Sequence, residues 1–336
     1  MGPVSFSMSA VTQGLQSRGG EMRRALAHHL EALTTGRVPA PQRHLRGDMA
    51  PLAAIESRTP RLEAERRGLL QAETRLQAVQ NGLDSLRERH AGLSKQLRQA
   101  TLAWSIPGTD ALAGQYGRDA LADMTGLLRQ AVGGQHLFAG NRTDTPPLPP
   151  ADTILAAARD TVAGLTTANA VAAALETFFH DPLGGFETQL YAGGAPVSAL
   201  GQEGTVPSAA LPTAADPALR HQLKGLTMAA LLGAQSDVTD PGERRALATR
   251  AADTLLAGQA PMTALAARTG FGQAEVARGL VRNDAEADAL VLAREALVGV
   301  DPFDAATRLE EKRVALETLY AVTARVSRLS LTEYLR

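Results

Sequence analysis

The chain has 336 residues, with 34 Lys and Arg against 35 Asp and Glu, and it has no Cys. The near-neutral charge predicts no attraction to nucleic acid or to an anionic membrane, and the lack of Cys excludes disulfides, thiolate catalysis and cysteine-ligated metals. Hydrophobic residues make up 44% of the chain but aromatic residues only 4%. A core built from Ala and Leu favours helices packed closely side by side.

The first 20 residues contain no basic start followed by an apolar run, so a cleaved secretory signal is not expected. No uncharged apolar stretch reaches about 18 residues, and a spanning helix or membrane insertion is therefore not expected either. An amphipathic helix is predicted near the start of the chain, because apolar residues recur there at helical spacing. This N-terminal stripe consists of Val11, Leu15, Met22, Leu26, Leu30 and Leu33.

A long heptad pattern fills the segment between Pro60 and Pro107, which has no internal proline. The first series, spaced by seven, is Leu62, Leu69, Leu76, Leu83, His90, Leu97 and Trp104; the second, three positions later, is Ala72, Val79, Leu86, Leu93 and Ala100. The pattern predicts one helix roughly 70 Å long. Such a rod needs a partner along its apolar seam, from this chain or from another subunit.

A helix with a weaker apolar pattern is predicted at residues 109–132. It is expected to end at Gly133-Gly134, since glycine tolerates the left-handed backbone found after helices. The apolar residues 136–138 run into Gly140-Asn141, which predicts a hairpin or turn. Residues 143–150 are proline-rich and predict a linker. Residues 152–179 predict a helix, and residues 186–211 predict short strands punctuated by glycine.

The C-terminal half is predicted to be helical, with starts at Asp216, Asp240 and Asp301, each of which precedes a proline. The predicted helices cover residues 217–234, 241–267, 273–298 and 303–333; Gly270-Phe271-Gly272 is interpreted as a turn, and Gly299 as a helix end. The last helix carries a C-terminal stripe: Leu309, Leu316, Leu319, Val322, Val326 and Leu329.

These elements predict a mainly α fold: a long antiparallel helical coiled-coil bundle from the N- and C-terminal segments, with a small α+β insertion in the middle. The predicted domains are residues 1–44 with 302–336, a rod of residues 45–148 with 216–301 that carries a β-hairpin, and an insertion at 149–215. A plain structural coiled coil, in a bundle or a dimer, explains the periodicity as well. Spacing alone does not predict assembly into a tube.

Three stretches resemble the bacterial flagellin family. Residues 301–335 match the order and spacing of the family's tail, which ends in "LSL" and "YL". Residues 134–141 (GQHLFAGN) are similar to the family's "G-x-Y-L-F-A-G" turn, with His136 in place of Tyr. Residues 33–38 (LTTGRV) resemble the stretch after the family's first helix. Together with the heptad helix, the resemblance covers about residues 5–141 and 216–335.

Two departures from the family pattern bear on the subtype. The Asp-Asp that usually follows the third motif is missing, and so is the Asn-rich opening typical of filament flagellins. The chain is thus more similar to the hook-associated members that join hook to filament, with a filament flagellin as the alternative.

The resemblance implies a structural component of an extracellular flagellum. It implies export by the flagellar type III apparatus without a cleaved signal. The implied partners are further copies of the chain, flagellin, other hook-associated proteins and an export chaperone. The ten stripe residues Val11, Leu15, Leu26, Leu33, Leu309, Leu316, Leu319, Val322, Val326 and Leu329 are the candidate assembly interface.

No catalytic, cofactor-binding or metal-ligating residues are predicted. The seven His form no metal-binding spacing, and no nucleophile elbow or phosphate-binding loop occurs. His90 occupies a heptad core position, which favours a buried residue over a pH switch. The interleaved Arg and Glu of residues 61–89 are typical of a salt-bridged helix surface. A cytoplasmic coiled-coil scaffold unrelated to motility remains a further alternative.

Overall fold

A computed structural model describes the backbone of residues 4–198, 210–233 and 237–334, and the side chains of residues 13–198, 210–233 and 237–325. The helices are α1 (Val4–Thr35), α2 (Pro41–His44), α3 (Ala50–Leu102), α4 (Thr109–Leu128), α5 (Ala151–Val162), α6 (Ala168–His180), α7 (Pro217–Ala230), α8 (Pro241–Ala257), α9 (Gln259–Val298) and α10 (Pro302–Tyr334). A π-helix covers Phe186–Leu190, and β1 (Ala131–Val132) pairs antiparallel with β2 (Gln135–His136). The mainly α prediction is confirmed.

Contacts divide the chain into two compact units. The terminal unit comprises residues 1–64 and 283–336, and the central unit comprises residues 65–282. Three domains were predicted, with an insertion at residues 149–215. Its described helices, α5 and α6, pack against α7, and α6 also packs against α8, all within the central unit. Among the described residues, no helix is long and apolar enough to cross a bilayer.

The heptad seam of α3 is buried as predicted. Leu62 is buried within the terminal unit, and Leu76, Leu83 and Leu97 are fully buried within the central unit. The predicted helix start at Pro60 is wrong, because α3 begins at Ala50 and Pro60 lies inside it. A proline inside a helix lacks one backbone hydrogen bond. The burial of Leu52 and Ile55 in the terminal unit offsets the stability lost with that bond.

The heptad seam of α3 includes a titratable side chain, the imidazole of His90. His90 is 1% exposed. Burial lowers the pKa of its imidazole to about 4, although the neighbouring Gln222 side chain opposes the shift. The prediction of a buried core histidine is confirmed.

Acidification should therefore destabilise the central unit through His90. The neutral ring is favoured in the folded state, so its contribution is complete above about pH 6.5 and is lost as the pH falls toward 4. We expect a loss of roughly 3 kcal/mol over that range. Urea unfolding of the wild type and of His90→Gln at pH 7 and 4.5 tests this, with the exposed His44→Gln as control. Equal pH dependence in wild type and His90→Gln would contradict it.

Close backbone approach joins α4 to α7. A Cβ atom at Gly114 would lie 2.4 Å from the backbone nitrogen of Gly233, and one at Gly117 would lie 2.4 Å from the backbone nitrogen of Ala230. Both glycines are buried. The two helices therefore meet where only glycine leaves enough room on α4.

The helix end predicted at Gly133-Gly134 is wrong, because α4 ends at Leu128 and the two glycines form the turn of the β-hairpin, with φ angles of +60° and +79°. Beyond β2, Leu137, Phe138 and Ala139 are buried. This stretch runs beside two other segments, because the Gly194 N–H donates to the Ala139 carbonyl (2.9 Å) and the Ala214 N–H donates to the Phe138 carbonyl (2.8 Å). The motif in residues 134–141 thus anchors the core of the central unit.

The strand predicted at residues 186–191 is wrong, because Phe186–Leu190 forms a π-helix. This segment lies against α6, where a strand would find no partner for its backbone. Its hydrogen bonds close locally instead: the Thr188 N–H donates to the Gly184 carbonyl (3.1 Å) and the Tyr191 N–H to the Phe186 carbonyl (2.8 Å). An isolated bridge joins Ser198 to Ala210. Residues 199–209 of the predicted insertion lie outside the described residues.

The three predicted N-caps are confirmed. The carboxylate of Asp216 accepts a hydrogen bond from the Ala218 N–H (3.0 Å). Asp240 accepts one from the Glu243 N–H (2.9 Å), and Asp301 accepts one from the Phe303 N–H (2.8 Å).

The turn predicted at residues 270–272 is wrong, since α9 is continuous through it. Leu265, Thr269 and Val276 are buried along one side of α9. Their packing outweighs the cost of about 1 kcal/mol per glycine in a helix interior. The helix break comes earlier, at Gly258, and α9 ends at Val298 before Gly299 as predicted.

Candidate assembly interface

The two ends of the chain pack together as an antiparallel pair, α1 against α10. Where α1 ends and α10 begins, the Val38 N–H donates to the Val298 carbonyl (2.9 Å) and the Val300 N–H to the Gly36 carbonyl (3.0 Å). Further along, Gly19 of α1 lies against the Leu319 side chain of α10. The prediction that the N- and C-terminal helices meet agrees with this arrangement.

The charges around His29 support the same antiparallel pairing of α1 with α10. The pKa of His29 on α1 is lowered by burial first, then by the neighbouring His28, and then by Lys312 and Arg308 of α10. The influence of two cations from α10 places this part of α1 beside the first turns of α10. The antiparallel pairing therefore extends over several turns of both helices.

The described side chains of the predicted interface are incompletely buried in this pair. Six of them are half-buried: Leu15, Leu26, Leu33, Leu309, Leu316 and Leu319. Val322 is 46% exposed. The side chains of Val11, Val326 and Leu329 lie outside the described residues. Two helices alone leave part of each apolar stripe in contact with solvent.

A second apolar surface on α10 was missed by the sequence analysis. Phe303 is 78% exposed and Val314 is 53% exposed. Their separation of 11 residues is about three helical turns, so they share one face, which we call the outer face. Val314 and Leu316 lie two positions apart and therefore point to opposite sides of the helix. The 11-residue spacing of Phe303 and Val314 was the sequence signal for this face, but the stronger stripe of leucines indicated the other side of α10.

Two further apolar residues of the helix pair are exposed, one of them in the predicted N-terminal stripe. Leu30 of α1 and Tyr320 of α10 are each 51% exposed. Scattered exposed apolar residues are ordinary, but a run along one helix pair marks a surface that another molecule can cover. The pair thus offers two apolar surfaces, the partly filled seam and the outer face.

Beneath this pair, the terminal unit has a small core. Its buried apolar residues are Ala32, Leu52, Ile55, Leu62, Val298 and Ala305. Polar contacts supplement it: the Arg58 guanidinium bonds both carboxylate oxygens of Glu286 (2.6 and 2.9 Å). Hydrogen bonding with Arg58 lowers the pKa of Glu286. Exposed pairs of this kind contribute little stability, so packing with further molecules has much to add.

Among the described residues, no group of three or more His, Asp or Glu side chains is arranged to hold a metal ion. Neither the protein-family models nor the curated proteins with which the chain was compared contain a match. The fold and the surface define a mainly helical protein whose two ends form an incompletely buried apolar helix pair.

Proposed function

We propose that the chain is a structural, non-enzymatic subunit of the bacterial flagellum that joins the hook to the filament. It is exported without a cleaved signal peptide and works outside the cell. Its partners are further copies of itself, flagellin and other hook-associated proteins, with a chaperone before export. The motifs in residues 33–38, 134–141 and 301–335 support this proposal through their resemblance to the flagellin family.

The observation that carries the proposal is the incomplete burial of the α1–α10 pair. Half-buried leucines in the seam and exposed Phe303 and Val314 on the outer face leave apolar area that neighbouring copies can cover. Burying one such side chain contributes about 1.5–3 kcal/mol. Repetition of one contact between identical copies produces a ring or a helical tube.

The alternative within the same class is flagellin, the filament subunit. Purified protein that polymerises alone into long filaments favours the filament subunit, whereas a junction protein stays monomeric or forms short assemblies. Deletion in the source bacterium separates the two as well. Loss of a junction protein releases flagellin into the medium, and loss of flagellin removes the filament protein altogether.

A cytoplasmic coiled-coil scaffold is the alternative from another class. The heptad seam of α3 supports it, because such seams are common in structural rods. Immunogold labelling of isolated flagella decides between the classes. Label at the hook–filament joint supports the proposal, and detection of the chain only in the cytosol of flagellated cells contradicts it.

Substitution on α10 should block assembly in two distinguishable ways. Val314→Asp places a charge on the outer face, and the monomer should remain folded because Val314 is 53% exposed. Leu316→Asp places a charge in the seam and should loosen the α1–α10 pair as well. Both variants should abolish swimming and short-assembly formation, measured by motility assays and light scattering.

The matched control is Glu311→Gln, an exposed polar position on the same helix. It should swim and assemble as the wild type does. Circular dichroism should show wild-type helix content in Val314→Asp and a lower total helix content in Leu316→Asp. Normal swimming of both Asp variants would sink the proposed role of this surface.

A further inference from the structure

Two histidines meet where α6 packs on α7. His180 is the last residue of α6, and His221 lies in the second turn of α7; their ring centroids are 5.9 Å apart. Both side chains are half-buried. The Nε2 atom of each ring is shielded from solvent and has no hydrogen-bond partner among the residues that the structure describes. The contact therefore suits two neutral rings.

The charges next to these rings are already paired. Lys224 of α7 forms an ion pair with Glu176 of α6, one turn before His180. Arg220 of α7 forms an ion pair with Glu187 of the π-helix (3.0 Å). The two cations adjacent to the histidines thus occupy the two carboxylates that α6 and the π-helix contribute. A third positive charge would have Asp253 of α8 as a further carboxylate in the lining of the same cleft.

Helix α8 faces His221 from the other side of a cleft of about 400 Å³. It contributes Arg250 and Asp253 to the lining, and Arg250 bonds Asn169 of α6. The Thr254 backbone favours protonation of His221, whose Nε2 atom nevertheless has no hydrogen-bond partner among the described residues. The charged groups that act on the two rings come from α6 and α7, with none from α4 or α5.

The balance of these influences favours the neutral rings. Burial is the largest cause that lowers the pKa of His180; Lys224, His221 and Arg220 lower it further, while Glu176 raises it. Burial and then Lys224 lower the pKa of His221, against Glu176 and the Thr254 backbone. The carbonyl end of α6 also favours a charged His180, but the pKa is lowered nevertheless.

We propose that His180 and His221 form an acid-sensitive latch that holds α6 on α7 at neutral pH and releases α6 when the rings are protonated. Protonation puts an N–H on each buried Nε2 without an acceptor and adds a positive charge beside Lys224 and Arg220. Once α6 separates from α7, water solvates the imidazolium. Each depressed pKa means that the stabilisation is complete above about pH 6.5 and is lost as the pH falls below it.

Hydrogen exchange on the full chain tests the latch at the level of single helices. Between pH 7 and 5.5, after correction for intrinsic exchange, protection of α6 amides should fall by up to about tenfold per pH unit for each proton taken up. Amides of α4 should lose only the protection that acid destabilisation through His90 removes, which is a smaller fall than that of α6. The double variant His180→Gln, His221→Gln should reduce the pH dependence of α6 to that of α4 but keep its helix content.

His44→Gln, an exposed position in the terminal unit, serves as the matched control and should behave as the wild type. Comparison of α6 with α4 separates the latch from acid destabilisation through His90, which acts on the whole central unit. The same response in the double variant, or parallel loss of protection in α6 and α4, would overturn the proposal. Direct NMR titration of the wild type adds a test that needs no variant: a pKa at or above 6.5 for both rings would overturn it too.

Discussion

Gly117→Ala should destabilise the protein by about 3 kcal/mol, because the added methyl group has no space between α4 and α7. Its Cβ would lie 2.4 Å from the backbone nitrogen of Ala230 and 2.5 Å from the carbonyl carbon of Ala229. Backbone atoms cannot rotate away as a flexible side chain can, so the helices must separate. The separation loosens the contacts of fully buried neighbours such as Leu121 and Leu226.

The matched control lies on the same helix. Gly126 is exposed, and a Cβ there would have nothing within 4 Å. Gly126→Ala should stabilise the protein by about 0.5–1 kcal/mol, since alanine loses less backbone entropy in a helix. Urea unfolding followed by circular dichroism measures both variants. Similar effects at the two positions would show that α4 and α7 do not approach as closely as described.

Gly140→Ala should destabilise the protein by about 3–4 kcal/mol, the sum of backbone strain and a steric collision. Gly140 has φ of +62°, and its Cβ would lie 2.4 Å from the carbonyl oxygens of both Ala195 and Gly194. The Ala195 carbonyl accepts from the Asn141 N–H (3.0 Å), and the Gly194 N–H donates to the Ala139 carbonyl. Moving this segment to make room would break those two hydrogen bonds.

Gly133→Ala is the matched control, because it introduces the backbone strain of a left-handed residue without the steric collision expected at Gly140. Its φ is +60°, nearly the same as at Gly140, but a Cβ there would meet open space. Gly133→Ala should therefore cost only about 1–2 kcal/mol, the price of the left-handed backbone. Thermal and urea unfolding of the two variants give the difference. If both variants lose the same stability, the space around Gly140 is not the constraint, and the motif in residues 134–141 owes nothing to the approach of residues 194–195.

The candidate assembly surface was predictable from the sequence only in part. The leucine stripes predicted which sides of α1 and α10 would meet, and six of their leucines are half-buried in the pair: Leu15, Leu26, Leu33, Leu309, Leu316 and Leu319. The stripes did not reveal the outer face, where Phe303 and Val314 stay exposed. An amphipathic pattern identifies the strongest apolar side of a helix, but it does not tell how much of the remaining surface a partner leaves uncovered.

The sequence alone was sufficient for structure whose energetics are local. The caps of Asp216, Asp240 and Asp301 were predictable because each carboxylate bonds a backbone N–H two or three residues away. The left-handed backbone at Gly133 and Gly134 was predictable from the freedom of glycine, although these residues form the β-hairpin turn and not the predicted helix end. The buried seam of α3 follows from the heptad repeat, since one side of a helix recurs at that spacing.

Only the tertiary structure decided the features that oppose local preference. Helix α3 continues through Pro60 and α9 continues through Gly270 and Gly272, because buried neighbours offset each local cost. The π-helix at residues 186–190 replaces a predicted strand because α6, rather than another strand, lies beside it. Burial of large side chains against residues distant in sequence contributes several kcal/mol, which is more than an N-cap or a helix propensity contributes. No local pattern reveals which distant residues will meet.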